Sequence, residues 1–176
     1  KVNFKGMRIV LDCANGAAYQ IGPWIFEELG AEVMKFHDKP DGYNINNNCG
    51  AVYPETIRDL VREYRADCGI AFDGDADRVI FCDRKGNTID GDRILAIAAL
   101  DYKEHGELNK NTLVTTCMSN IGMQESLKKH GINTVTTKVG DRNVIARMRA
   151  DGYNLGGENC GHLIFFDHAT TGDGII

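Results

Sequence analysis

Three aspartates occupy alternate positions in residues 73–78, and an arginine directly follows the third of them. This acidic turn lies between two short apolar runs, 68–72 and 79–82, whose length and β-branched content predict strands. The three carboxylates are therefore expected at a strand end. Because neighbouring carboxylates repel one another, the turn favours a bound cation that takes oxygen ligands, either Mg²⁺ or Ca²⁺.

A calcium loop of the EF-hand type needs Gly at its sixth position, Glu at its twelfth and a helix on each side. Counted from Asp73, these positions hold Arg78 and Arg84, and the flanking runs are strand-like, which excludes that type of loop. Mg²⁺ commonly shares its ligand sphere with a phosphate, and arginine binds phosphate through paired hydrogen bonds. The turn thus indicates phosphoryl chemistry, with a solvated acidic turn as the simpler interpretation.

Charge and cysteine pattern exclude several classes of function. A net charge of −5 without a block of Lys or Arg argues against nucleic acid and anionic membranes as partners. No leader or membrane-length apolar run is apparent, so we expect a cytoplasmic protein. The six cysteines include no CxxC pair, which favours buried free thiols over a disulfide framework or a zinc site.

Apolar runs and helical patterns alternate along the chain, which predicts an α/β fold. We expect two tandem domains, each with a mixed, mostly parallel sheet covered by helices. A short polar stretch at 106–111 places the boundary between a first domain, 1–107, and a second, 108–176. In the first domain, the Asn15–Gly16 turn lacks a known phosphate-binding pattern, and we interpret it as a packing turn.

Two loops of the second half could bind a ligand. In residues 138–142, Lys138, Arg142 and free backbone N–H groups could meet an anion where a helix begins, although Asp141 could simply cap that helix. In residues 156–162, glycines frame Glu158, which can accept hydrogen bonds from hydroxyls, and His162, which can titrate near neutral pH. An ordinary flexible turn is the alternative for this loop.

In their order and spacing, four stretches resemble the α-D-phosphohexomutase superfamily: 73–78, 138–142, 157–162 and the closing 169–174. Asn44-Ile45-Asn46, with Cys49-Gly50 and Pro54-Glu55, is similar to the phosphoglucosamine subgroup in particular. The resemblance extends over nearly the whole chain.

This resemblance implies the second and most of the third of four phosphoglucomutase-type domains. The first domain would carry a catalytic phosphoserine and the fourth a phosphate-binding loop, so we expect the chain alone to be inactive. The implied activity is the Mg²⁺-dependent interconversion of glucosamine 6-phosphate and glucosamine 1-phosphate through a 1,6-bisphosphate. That reaction belongs to the synthesis of UDP-N-acetylglucosamine for the bacterial cell wall.

The resemblance also implies roles for individual residues. Mg²⁺ would be bound by Asp73, Asp75 and Asp77. The transferring phosphoryl group would be contacted by Arg78, with His162 beside the reacting end of the sugar. The substrate would be bound by Glu158, through the 3- and 4-hydroxyls of the sugar, and by Cys160 in the same loop. Lys138 and Arg142 would line the ligand cleft and contact the substrate there. Cys160 departs from the usual serine, and its weaker hydrogen bonding could change the sugar preference.

Three other hypotheses stay open at this point. The first is a phosphoglucomutase or phosphomannomutase of the same superfamily. The second is a phosphatase in which Asp73 is itself phosphorylated and Asp75 serves as the acid–base group, because an acidic turn after a strand is also typical of such enzymes. The third is a module that binds a sugar phosphate without catalysis.

Overall fold

The computed structural model describes residues 2–176, which form two compact units. The first unit ends at Ile89, and the second begins at Asp90 and continues to Gly174. Each unit contains one mixed sheet with helices packed against it, which confirms the predicted α/β class. Within residues 2–176, no helix combines the length and the apolar character that crossing a membrane requires.

The first unit has a five-stranded sheet with the strand order β2-β1-β3-β4-β5. Its elements are β1 (Arg8–Asp12), α1 (Ile21–Glu28), β2 (Glu32–Phe36), α2 (Pro54–Glu63), β3 (Cys68–Phe72), β4 (Val79–Asp83) and β5 (Thr88–Ile89). The β1, β2 and β3 strands are parallel, whereas β4 and β5 are antiparallel to their neighbours. Because β1 and β3 run the same way, the residues that follow them lie at the same edge of the sheet.

Packing of α2 against the sheet fixes the strand that leads into the acidic turn. Pro54 occupies the first turn of α2, where its missing N–H is not needed. Ile57 and Val61 lie one helical turn apart, are fully buried and belong to the core of this unit. A Cβ atom at Gly69 would lie 2.5 Å from Val61 Cγ2, so the absence of a side chain in β3 permits this close approach.

The second unit has a four-stranded sheet with the order β7-β6-β8-β9. Its elements are α3 (Gly91–Glu104), β6 (Thr112–Thr116), α4 (Ile121–Lys129), β7 (Asn133–Thr137), α5 (Asp141–Asp151), β8 (Leu155–Gly157) and β9 (Leu163–Phe165). The β6 strand is parallel to β7 and β8, and β9 is antiparallel to β8. The loop between β8 and β9, residues 158–162, contains Glu158, Cys160 and His162. We call it the sugar loop, because the family resemblance predicts that it binds the sugar.

The boundary between the units differs from the one expected after residue 107. Helix α3 belongs to the second unit, where a Cβ atom at Gly157 of β8 would lie 3.1 Å from Leu95 Cδ2. The buried carboxylate of Asp92 in α3 also accepts a hydrogen bond from the backbone of Asn120, at 2.7 Å. The apolar pattern of α3 predicted a helix but contained no information about which sheet it covers.

Strand β8 was not predicted, because its two glycines were interpreted as part of a loop. A Cβ atom at Gly156 would lie 2.6 Å from Met148 Sδ of α5 and 3.0 Å from the carbonyl oxygen of Val114 in β6. At Gly157 it would lie 2.4 Å from the carbonyl oxygen of His162. These glycines therefore allow a buried strand to pack closely, and they do not mark a flexible turn.

Candidate functional site

The acidic turn brings its three carboxylates together. One oxygen atom from each of Asp73, Asp75 and Asp77 lies within 4.8 Å of the others. Asp73 is 1% exposed, Asp77 is half-buried and Asp75 is exposed, so the cluster extends from the interior to the surface. Three carboxylate oxygens with one side open to solvent form a donor set suited to Mg²⁺, which keeps part of its sphere for water or phosphate.

Arg78 contacts two of these carboxylates. Its Nε lies 2.7 Å from Asp73 Oδ2 and 3.5 Å from Asp77 Oδ1, and its backbone N–H donates to Asp73 Oδ1 at 3.1 Å. Burial raises the pKa of Asp73, and the hydrogen bond and charge of Arg78 oppose that rise. On balance the pKa of Asp73 is raised above its ordinary value, because its burial and the charges of Asp77 and Asp75 outweigh the effect of Arg78.

Two neighbouring segments hold the acidic turn in shape. The carbonyl oxygen of Gly74 accepts a hydrogen bond from the backbone N–H of Ala17 at 2.8 Å, and a Cβ atom at Gly16 would lie only 2.2 Å from that oxygen. On the other side, a Cβ atom at Gly74 would lie 2.6 Å from Ile45 Cδ1. The Asn15–Gly16 turn is thus a packing turn, as predicted, and its partner is the acidic turn.

Asp12, which sequence reasoning did not single out, supports the same region. Its buried carboxylate accepts the backbone N–H of Ala14 at 2.9 Å and that of Gly50 at 2.8 Å. A Cβ atom at Gly50 would lie 2.5 Å from the carbonyl oxygen of Phe72, the residue just before the acidic turn. In the sequence, the signal for a structural role of Asp12 was that an acidic residue stands near the end of the apolar run 7–13.

In the second unit, a hydrogen bond joins two loops that were predicted separately. Glu158 is 9% exposed, and its Oε1 accepts the backbone N–H of Gly140 at 2.9 Å. Gly140, with φ of 115°, is the residue that caps α5, so the alternative of an Asp141 cap is wrong. Lys138 and Arg142 lie exposed on either side of Gly140. Two cationic side chains and a buried carboxylate therefore border the same loop.

The sugar loop encloses its imidazole and exposes its thiol. The backbone N–H of Glu158 donates to the carbonyl oxygen of His162 at 2.9 Å, and the His162 ring is packed against Gly172 in the closing stretch 169–174. His162 is 5% exposed, whereas Cys160 is exposed at the tip of the loop. The predicted site residues thus form two groups, one in each unit: Asp73, Asp75, Asp77 and Arg78, and Lys138, Arg142, Glu158, Cys160 and His162.

Comparisons with known families match both units. The model described as "Phosphoglucomutase/phosphomannomutase, alpha/beta/alpha domain II" matches residues 1–86, and the corresponding domain III model matches residues 90–176. The phosphoglucosamine mutase of Geobacter metallireducens is 56% identical over 176 residues. That match includes 100% of this chain and 39% of the relative, so the chain spans well under half the length of the protein it matches.

Solved structures that are similar to this chain belong to the same family of mutases. A phosphoglucomutase/phosphomannomutase family protein of Burkholderia thailandensis has a TM-score of 0.87 at 26% identity, over 99% of this chain and 39% of that one. The N-acetylphosphoglucosamine mutase of Aspergillus fumigatus, solved with glucose 1,6-bisphosphate, has a TM-score of 0.64 at 27% identity. That match includes 92% of this chain and 33% of the other.

Proposed function

Because the chain belongs to the phosphoglucomutase/phosphomannomutase family, we propose that it forms two central domains of a phosphosugar mutase that interconverts glucosamine 6-phosphate and glucosamine 1-phosphate. We refer to the longer protein that this proposal implies as the parent protein. The observation that carries the proposal is the cluster of three carboxylates with Arg78 at one strand end. The phosphoserine donor would lie in the parent outside this chain, which alone would not turn over substrate.

The residues of the acidic turn fit a magnesium ion. Asp73, Asp75 and Asp77 would hold it, because their oxygens already converge within 4.8 Å. When bound, Mg²⁺ would neutralise negative charge on the phosphoryl group that is transferred. Asp73 has a fixed orientation because both of its oxygens contact Arg78, and exposed Asp75 leaves one side open to a phosphate.

Arg78 would act on the phosphoryl group directly. Its contact with Asp73 holds the guanidinium beside the acidic turn, and 41% of the side chain is exposed. Guanidinium N–H groups bind phosphoryl oxygens with directional, charge-assisted hydrogen bonds. In this role, Arg78 would stabilise charge on the equatorial oxygens while the phosphoryl group moves between serine and sugar.

The loops of the second unit would bind and orient the sugar phosphate. Glu158 uses Oε1 to hold Gly140, and we assign Oε2 to the 3- and 4-hydroxyls of the sugar. Recognition through these two hydroxyls would let the sugar bind in two orientations, with either its 1-position or its 6-position at the reacting end. Lys138 and Arg142, exposed on either side of Gly140, would line the ligand cleft with positive charge that suits an anionic substrate, and Cys160 would contact the sugar. His162 would assist at the reacting hydroxyl as an electrostatic or acid–base group.

One structural observation argues against the alternative of an aspartate-nucleophile phosphatase. The nucleophile of that hypothesis, Asp73, is 1% exposed, and its Oδ1 and Oδ2 contact the backbone and side chain of Arg78. To attack a phosphate as a nucleophile, Asp73 would have to give up one of these contacts with Arg78 and become accessible to the substrate. A mutase for another hexose and a non-catalytic module share the proposed sites and differ from the proposal in substrate and turnover.

The chemistry of the phosphorylated residue tests the proposal. We expect the parent, incubated with glucose 1,6-bisphosphate carrying labelled phosphate, to retain label that survives acid, because phosphoserine is stable under those conditions. Proteolysis should then map the label outside residues 2–176. Acid-labile phosphate within the acidic turn would support the phosphatase instead. Absence of any label, in a parent that binds the bisphosphate, would leave only the binding module.

A further inference from the structure

A second cluster of metal-ligand side chains lies in the first unit. One donor atom from each of Asp12, His37 and Cys49 lies within 4.8 Å of the others. Asp12 and Cys49 are fully buried, and His37 is half-buried. The three residues come from the end of β1, the position after β2 and the loop before α2. A carboxylate, an imidazole and a thiol thus converge from three separate segments.

The approach of His37 to Asp12 is that of two ligands of one ion. His37 Nδ1 lies 3.0 Å from Asp12 Oδ1, yet within residues 2–176 this buried nitrogen has no hydrogen-bond partner. Two ligand atoms bonded to zinc at about 2.1 Å, with an angle of about 90–110° between them, lie about 3.0–3.4 Å apart. The observed separation and the missing hydrogen bond both fit that arrangement.

The charge at the cluster also favours a cation. Asp12 is 0% exposed, and in the described part of the chain its ion-pair contact is with His37 alone. A buried carboxylate is costly to leave without a compensating positive charge, and His37 supplies one only when it is protonated. Two backbone N–H groups, from Ala14 and Gly50, already orient the carboxylate, and an ionised carboxylate has about four lone-pair positions. Asp12 therefore has an acceptor position left for a metal.

Cys49 would be the third ligand, and its thiol would limit which metal ions can bind. Burial, together with the charge of Asp12, raises the pKa of its thiol to about 11, so without a metal it stays protonated at neutral pH. Binding of a cation would release the Sγ proton to solvent and form a metal–thiolate bond. Asn15 Nδ2 already donates a hydrogen bond to Sγ at 3.9 Å, and this bond would support the coordinated sulfur.

We propose that Asp12, His37 and Cys49 bind a zinc ion, with the fourth position taken by water. A donor set with one thiolate, one imidazole and one carboxylate suits zinc and does not suit Mg²⁺, which prefers oxygen ligands only. The 32% exposure of the His37 side chain gives access from solvent. This site goes beyond the proposed mutase reaction and does not depend on it. The sequence favoured a free thiol because residues 12, 37 and 49 follow no recognisable spacing.

The site can be tested with Co²⁺ as a spectroscopic probe in the metal-free parent protein. We expect about one equivalent of Co²⁺ to produce a thiolate-to-cobalt charge-transfer band, and zinc to displace it. Cys49→Ser should abolish the band. His37→Asn should weaken Co²⁺ binding at least tenfold, and Asn tolerates the left-handed backbone at this position, where φ is 49°.

Two matched variants control for other sites. Cys117→Ser removes an exposed thiol of the second unit, and Asp75→Asn removes a carboxylate of the acidic turn; both should keep the band. Absence of the band in the unmodified parent, or its persistence in Cys49→Ser, would overturn the proposal. If Cys49→Ser fails to fold, as judged by circular dichroism, an unchanged Co²⁺ affinity of His37→Asn would overturn it instead.

Discussion

Replacing Asp75 by Asn should lower the turnover of the parent protein by at least about 100-fold, equivalent to about 2.7 kcal/mol of transition-state stabilisation. Asp75 is exposed and belongs to the carboxylate cluster, so the substitution removes a proposed magnesium ligand without disturbing a packed core. The metal is expected to act on charge that develops during transfer, and therefore kcat should fall far more than sugar-phosphate affinity.

A matched variant separates this effect from a general loss of negative charge. Asp59→Asn makes the same change on α2, at a side chain that is 79% exposed, and should leave kcat within about twofold of the unmodified parent. Steady-state kinetics over a range of Mg²⁺ concentrations provide the measurement. If Asp75→Asn turns over at the unmodified rate at every concentration, the acidic turn does not hold the catalytic metal.

Replacing Gly16 by Ala should damage both stability and activity. The added Cβ would lie 2.2 Å from the carbonyl oxygen of Gly74, and backbone at that distance must move by about 1 Å. Overpacking of this kind costs about 1–3 kcal/mol, which should lower Tm by several degrees. Because the displaced segment is the acidic turn, we also expect kcat/KM to fall about 100-fold.

Because of the backbone conformation of Gly16, this substitution tests the steric contact with Gly74 and not backbone strain. Its φ of −117° and ψ of −158° are accessible to alanine, so the substitution introduces no conformational strain. Gly122→Ala is a suitable control, because the added Cβ would meet only the side chain of Asn120, at 3.0 Å, and alanine favours the helix at that position. Calorimetry would measure Tm, and steady-state kinetics would measure kcat/KM. If neither differs between Gly16→Ala and the unmodified parent, the acidic turn tolerates the displacement.

Local sequence patterns were sufficient to predict the strands that carry the acidic turn. Residues 68–72 form β3, and the run 79–82 is extended by one residue in β4. Alternate spacing alone brought Asp73, Asp75 and Asp77 together, because all three lie on one short turn. Their metal and catalytic roles, like those of Glu158 and His162, stay predictions until variants are measured.

Features that depend on distant partners could not be predicted. The bond between Glu158 and Gly140 joins loops that are 18 residues apart, and no periodicity relates the two positions. The contact between Gly16 and Gly74 also has no signature in the sequence. A glycine that is needed for close packing cannot be distinguished, from the sequence alone, from a glycine that is needed for a turn. The sequence placed α3 in the first domain, whereas the structure places it in the second unit. The reason is the same, because the apolar pattern of a helix does not identify the sheet on which it packs.

The most direct test of the proposed function is turnover of the parent protein with Mg²⁺, measured separately with the 1-phosphates of glucosamine, glucose and mannose. We expect kcat/KM for glucosamine 1-phosphate to exceed that for the other two by at least tenfold, with 6-phosphate as the product. A clear preference for glucose or mannose would contradict the amino-sugar assignment and direct attention to Cys160 in the sugar loop. No turnover of any of the three, in a folded parent that binds Mg²⁺, would contradict the mutase itself.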